Sequence, residues 1–141
     1  MEMLILFYTY SGNSKKTAEI IAKKRNATIY EVKETAKPRT LKAYSIGCFK
    51  ALRGKSSPIE PISADLAKYD RLILVGPIWA GNPAPAFNAI LDTIPPHKKV
   101  EVVMVSGSGK SKCKDKIAAK IKSKGSVLTS FKNVKGNAKS K

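Results

Sequence analysis

The sequence is short of the residues on which most metal and acid–base sites are built. Its 141 residues include one histidine, two cysteines and ten acidic residues. The cysteines, Cys48 and Cys113, stand far apart and outside any C-x-x-C or Cys/His cluster, which argues against a disulfide framework and a zinc site. His97 follows two prolines and is expected on the surface. We therefore predict no metal centre and no catalytic residue.

Long apolar runs are also absent. No run approaches the roughly 20 residues that a membrane-spanning helix needs. The first residues carry no basic segment ahead of their short apolar stretch, so a signal peptide is not indicated. We expect a cytoplasmic protein that does not associate with membranes. At 15.3 kDa, with 43% hydrophobic and 26% charged residues, one globular domain is expected.

The scarcity of acidic residues leaves a net charge of +17, and the excess is concentrated at the two ends of the sequence. A nucleic acid is one partner that such a charge attracts. However, the excess is almost entirely lysine, no recognition motif is present and few aromatic residues interleave with the charges. Nucleic-acid binding is therefore the weakest of the functions considered, and a solvated basic face explains the charge equally well.

Strand-like and helix-like segments alternate along the chain. Helical periodicity follows the first strand over residues 14–24, follows Asn82-Pro83 up to Pro95, and follows Ser106-Gly107-Ser108-Gly109 with Cys113 and Ile117 on its apolar face. This alternation predicts an α/β fold in which helices cover both faces of a five-stranded parallel sheet, giving three layers. The predicted strands are residues 3–8, 28–33, 72–75, 100–105 and 126–131.

Two segments depart from this alternation. Prolines and glycines interrupt residues 37–61, which leave room for at most one helix, around residues 41–52. No helical pattern follows the fifth strand, so the domain is predicted to cover residues 1–131, with a basic flexible tail at 132–141.

Three turns follow the strands predicted to end at the ligand-binding edge of such a sheet. The first turn, Thr9-Tyr10-Ser11-Gly12-Asn13-Ser14, offers hydroxyl groups, a glycine and a helix N-terminus, which together suit a phosphate. The same residues also suit an ordinary capped turn. The spacing matches neither G-x-G-x-x-G nor the loop that holds nucleoside triphosphates.

The second and third turns differ in the size of their side chains. The second, Gly76-Pro77-Ile78-Trp79-Ala80-Gly81-Asn82-Pro83, holds the only tryptophan, which either covers a planar ligand or anchors the loop. The third, Ser106-Gly107-Ser108-Gly109, offers mainly backbone groups.

The first turn, together with Gly76-Pro77-Ile78-Trp79-Ala80-Gly81-Asn82-Pro83-Ala84-Pro85, resembles the flavodoxin family, and the likeness extends over nearly the whole chain. The resemblance implies the strand order 2-1-3-4-5 that is known for flavodoxin, with FMN bound between strands one and three. It implies that Thr9, Ser11, Asn13 and Ser14 bind the phosphate, with Tyr10 and Gly12 in the same turn. The flavin ring would lie between Pro77, Ile78, Trp79, Ala80, Gly81 and Asn82 on one side and Ser106, Gly107, Ser108 and Gly109 on the other.

The sequence departs from the family in ways that bear on function. Flavodoxins are typically acidic, and a +17 charge instead favours an acidic redox partner. The third turn lacks the aromatic residue that covers the outer ring face in many flavodoxins. A missing last helix would leave an apolar sheet face open near the first and third strands, which predicts a homodimer that covers this face.

Three functions are therefore expected, in descending order. The first is an FMN-binding electron-transfer protein that shuttles electrons between redox partners. The second is an NAD(P)H-dependent FMN or quinone reductase on the same fold, which the bare third turn favours. The third is a basic nucleic-acid-binding protein that retains only the fold.

Overall fold

The structure is a computed structural model that describes residues 2–35 and 55–136. The helix predicted around residues 41–52 lies outside the described residues. The helices are α1 (Asn13–Arg25), α2 (Pro85–Asp92) and α3 (Lys114–Ser123), with a short 3-10 helix at Leu66–Lys68. The strands are β1 (Met3–Phe7), β2 (Thr28–Glu31), β3 (Arg71–Trp79), β4 (Asn82–Pro83), β5 (Lys99–Ser106) and β6 (Val127–Lys135).

The main sheet has the order β2-β1-β3-β5-β6, and every pair of neighbours in it is parallel. Strand β4 is a two-residue addition that pairs antiparallel with the end of β3. Without β4, this order is the 2-1-3-4-5 order that the resemblance implied. The predicted α/β fold and its strand order are therefore confirmed.

Strands β1 and β3 lie at the centre of the sheet because both of their faces are apolar. Successive side chains of a strand point to opposite faces, so Leu4 and Leu6 enter one core while Ile5 and Phe7 enter the other. The first core contains Phe87 of α2 and side chains of α3, and the second contains residues of α1. The helices thus cover both faces of the sheet, as an all-parallel sheet requires.

The structure corrects the predicted start of the second helix. Asn82 and Pro83 do not cap a helix but form β4, opposite Trp79 and Ile78 of β3. Helix α2 begins only at Pro85, which occupies the first helical turn, a position that tolerates proline because its N–H needs no partner there.

The last strand also differs from its prediction. Strand β6 continues past Phe131 to Lys135, so residues 132–135 belong to the sheet and not to a tail. They pair with β5 as far as Ser106, and Val134 packs against the second core.

The face of the sheet that carries α1 is only partly covered. Among the described residues no helix follows β6, and α1 is the one helix on this face. A groove of about 330 Å³ lies between α1 and strands β5 and β6. Arg25 at the end of α1 crosses to Glu101 on β5 and donates two hydrogen bonds, of 2.8 and 2.9 Å, to its carboxylate. The sequence led us to expect this face to open near the first and third strands, whereas the α1 groove is bordered by β3, β5 and β6 and not by β1.

The homodimer expected from that open face stays a prediction. If a second copy covers the α1 groove, Ile20→Glu should abolish self-association, because Ile20 lines the groove and is 57% exposed. Ile29→Glu on β2, where the isoleucine is 37% exposed, is the control and should leave the association unchanged. Sedimentation equilibrium of the three proteins measures this, and a wild-type mass that is monomeric at every concentration would rule the dimer out.

Strand β3 and helix α2 approach closely at Gly76, so a larger residue there should lower the stability of the protein. A Cβ atom at Gly76 would overlap Cδ1 of Phe87 and lie 3.1 Å from its Cγ. Phe87 is fully buried, so Gly76→Ala should lower the free energy of unfolding by about 1–3 kcal/mol. Gly107→Ala, where the added Cβ meets nothing within 4 Å, should cost nothing, and urea denaturation of both variants tests the difference.

Candidate functional site

The three predicted turns meet at one edge of the sheet. The parallel register places Phe7 opposite Val75, and Pro77 opposite Val105, so that β1, β3 and β5 end close together. The turns enclose a crevice of about 320 Å³, called the carboxyl-edge crevice below. It is lined by Tyr10, Ser11, Asn13, Ser14, Pro77, Ile78, Trp79, Val105, Ser106 and Gly107.

Nine of the sixteen predicted site residues therefore line the crevice. Val105 also lines the crevice and was not predicted, because nothing in an apolar strand shows that its last residues border a crevice. The remaining predicted residues lie within the turns or beside the crevice. They are Thr9, Gly12, Ala80, Gly81, Asn82, Ser108 and Gly109.

The first turn delivers the N-terminus of α1 to the crevice. Gly12 adopts a left-handed conformation with φ of 103°, and its N–H donates to Thr9 Oγ1 at 3.0 Å. Helix α1 then begins at Asn13 without a side-chain cap and without an acidic residue in its first turn. The first N–H groups of a helix have no acceptor within it and carry partial positive charge. Thr9 thus shapes the turn, and the helix start supplies anion-binding groups.

Trp79 closes one wall of the crevice and also anchors its loop. The side chain is only 4% exposed. Its ring meets Tyr10 edge to face, with centroids 5.5 Å apart, and Tyr8 at 6.4 Å. The Tyr8 hydroxyl in turn donates to Glu34. The packing of the indole bears out its interpretation as a loop anchor, and its place in the wall of the crevice leaves the cover for a planar ligand as a prediction.

The third turn is organised by the Ser106 hydroxyl. Its oxygen accepts hydrogen bonds from the N–H groups of Gly109 at 2.9 Å and Lys110 at 3.2 Å. Ser108 also accepts from the Lys110 N–H, at 3.2 Å, which keeps it in the turn and away from the crevice. Gly107 has open space where a Cβ would stand, so this wall presents backbone to the crevice.

A second opening adjoins the crevice, and we call it the lysine cleft. It has a volume of about 720 Å³. Its walls come from the ends of the second and third turns, the start of α3 and the end of β6. Its lining residues are Gly81, Asn82, Gly109, Lys110, Ser111, Lys112, Lys116 and Asn133.

The crevice carries little acid–base chemistry. None of its lining residues is an aspartate, glutamate, histidine or lysine. Cys113, at the start of α3, is fully buried, and burial raises the pKa of its thiol, which keeps it protonated and unreactive at neutral pH. In the described parts of the chain, no cluster of three His, Cys, Asp or Glu side chains could hold a metal ion. Nor does any helix there have the length and apolarity to cross a membrane.

Known structures share this architecture. A flavoprotein from Lactobacillus acidophilus NCFM, solved in complex with FMN, is 22% identical with a TM-score of 0.76, over 95% of this chain and 92% of that one. The apo-form of the L. acidophilus flavoprotein is 23% identical, with a TM-score of 0.68 over 93% and 91% of the two chains. A Streptococcus pneumonia TIGR4 flavodoxin is 16% identical, with a TM-score of 0.57 over 99% and 88%. No protein-family model and no curated protein matches the sequence. The fold is flavodoxin-like.

The turn between β3 and β4 predicts a stabilising substitution. Ala80 and Gly81 have φ values of 51° and 81°, as in a type I′ hairpin turn, which prefers Asn-Gly. Alanine is strained there and asparagine is not, so Ala80→Asn should raise the free energy of unfolding by up to about 1 kcal/mol. Ala119→Asn on the exposed face of α3 should instead lower it, because asparagine is a poorer helix former. Thermal unfolding of both variants tests this, and a destabilised Ala80→Asn would contradict the turn assignment.

Proposed function

We propose that this protein binds FMN in the carboxyl-edge crevice and transfers electrons. The observation that carries the proposal is the meeting of an uncapped helix N-terminus with an aromatic wall and a backbone wall in one crevice. The FMN held by the L. acidophilus flavoprotein of the same fold supports the choice of ligand. When bound, FMN supplies one- and two-electron redox chemistry that the side chains lack.

The residues present fit the parts of FMN. The first-turn N–H groups of α1, with the hydroxyls of Ser11 and Ser14, suit the phosphate, because no carboxylate lies in that turn to repel it. Ile78 and Trp79 offer an apolar wall for the ring. Across the crevice, Ser106 and Gly107 bring backbone close enough to hydrogen-bond the polar edge of a ring.

Electron transfer is favoured over substrate turnover by the composition of the crevice. Carrying electrons needs a protein that orients the cofactor and limits access to it, and it needs no acid or base of the protein's own. The lining residues match this requirement, because none of them is acidic, basic or a histidine.

A reductase is the second candidate, and the third turn favours it. Gly107 leaves open space on its side of the crevice, which would admit a nicotinamide or a quinone to the ring. Consumption of NAD(P)H in steady state by the FMN-loaded protein separates the two functions. A carrier oxidises NAD(P)H no faster than free FMN does, and a reductase turns over many equivalents.

The phosphate site predicts how a charge will affect binding. Ser11 lines the crevice and is exposed, so Ser11→Glu should put a carboxylate beside the phosphate. Repulsion of about 1–4 kcal/mol at such short range should weaken FMN binding by roughly fivefold or more. Riboflavin, which has the same ring and no phosphate, should bind both proteins equally.

The readout is a titration followed by flavin fluorescence. Thr28→Glu, at the opposite edge of the sheet, makes the same change in charge and should change the affinity for neither FMN nor riboflavin. An equal loss of affinity for FMN and for riboflavin in the Ser11→Glu variant would contradict the placement of the phosphate at the first turn. Failure of the wild-type protein to bind either flavin would refute the proposed function.

A further inference from the structure

The lysine cleft is the most basic opening beside the proposed redox site. Lys110, Lys112 and Lys116 line it, and no carboxylate does. The ion pairs Arg25–Glu101 and Lys120–Asp92 involve none of these three lysines. Asp115, the neighbour of Lys116 on α3, is the one acidic residue in this part of the chain. Lys116 also lines a neighbouring cavity with Asp92, whose carboxylate pairs with Lys120. The lining of the cleft itself therefore holds three positive charges and no negative one.

The position of the cleft ties it to the ring end of the crevice. Gly81 lies in the second turn, two residues after Trp79, and Gly109 lies in the third turn, two residues after Gly107. Trp79 and Gly107 line the crevice, so the two openings share both of these turns. The start of α1, where the phosphate is proposed, lies on the first turn and contributes nothing to the cleft. An occupant of the cleft would thus lie next to the redox end of the cofactor.

The walls of the cleft suit a protein surface better than a second nucleotide. It is wide, and its lining of glycine, asparagine, serine and lysine includes no aromatic or branched apolar side chain on which a base could stack. Lysine ammonium groups on flexible stems pair readily with scattered carboxylates. Clustered charge of one sign also steers an oppositely charged protein and raises its association rate.

We propose that the lysine cleft is the docking surface for an acidic electron-transfer protein. This inference rests on the proposed function, since docking there serves a cofactor in the crevice. The basic residues around the α1 groove are the alternative surface, but Arg25 is already paired with Glu101. Lys24 and Lys132, which also line that groove, do not border the carboxyl-edge crevice.

The test uses an oxidised, acidic [2Fe–2S] ferredoxin as the probe and amide NMR spectra of this protein as the readout. Formation of the complex should shift and broaden the amide signals of residues 81–82 and 109–116 at low salt. The broadening should fade as ionic strength rises to about 0.5 M, because screening shortens the reach of the charges to a few ångströms.

A matched pair of variants distinguishes a local surface from total charge. The triple variant K110Q/K112Q/K116Q should weaken binding of the ferredoxin by roughly tenfold or more. The control K68Q/K99Q/K122Q removes the same charge from exposed positions outside the cleft, and it should weaken binding by no more than about threefold. Unchanged amide spectra away from the substitutions verify that both variants fold.

Each alternative result overturns the docking surface. Equal weakening by both triples would mean that only net charge matters, and broadening around Lys24 and Lys132 would assign docking to the α1 groove. If no amide signal broadens at low salt, the proposed docking surface is refuted. The readout does not require FMN, so a protein that docks the probe but binds no flavin would refute the proposed function and not the docking surface.

Discussion

The start of α1 is the feature on which the rest of the site depends. Strand β1 is buried on both faces and ends in a turn whose Gly12 takes a left-handed conformation. The helix that follows has no side-chain cap, and its first residues, Asn13 and Ser14, line the crevice. A side-chain cap would have satisfied one of the helix's first N–H donors within the protein. An uncapped start is costly unless a ligand or water satisfies it.

The parallel sheet converts this local feature into a site. Because β1, β3 and β5 run in the same direction, their carboxyl ends bring three turns together. Each turn contributes something different: donors from α1, an apolar wall from Ile78 and Trp79, and backbone from Gly107. No charged side chain lines the crevice, whereas three lysines line the adjoining cleft. The two proposals, cofactor binding in the crevice and partner docking at the lysine cleft, therefore concern different residues and can be tested independently.

Much of this was predictable from sequence, for identifiable reasons. Strands buried on both faces leave unbroken apolar runs, so β1, β3 and β5 were located within a few residues. The three turns were found because glycine, serine and asparagine cluster directly after those runs. The strand order came only from the resemblance to flavodoxins, since periodicity does not reveal which strands pair. The expectation of FMN as the ligand came from the same resemblance.

The errors arose where pairing across the structure overrides local preference. Asn82-Pro83 looks like the start of a helix, but the positive φ values of Ala80 and Gly81 return the chain onto β3. β6 continues past Phe131 because β5 offers it a partner as far as Ser106. The lysine cleft was missed for a similar reason. In the sequence, Lys110, Lys112 and Lys116 look like part of a solvated basic face. Only the fold shows that Gly81 and Asn133 lie beside them.

The most direct test of the central claim is a map of the amide NMR shifts caused by one equivalent of FMN. If the three turns form one site, the largest shifts will fall in three separate stretches, at residues 11–15, 77–81 and 105–109, with saturation at equimolar FMN. Shifts confined to the lysine cleft would show a phosphate attracted only by surface charge. Shifts in the first turn alone would show an anion site without a place for the ring, and either result would contradict the account.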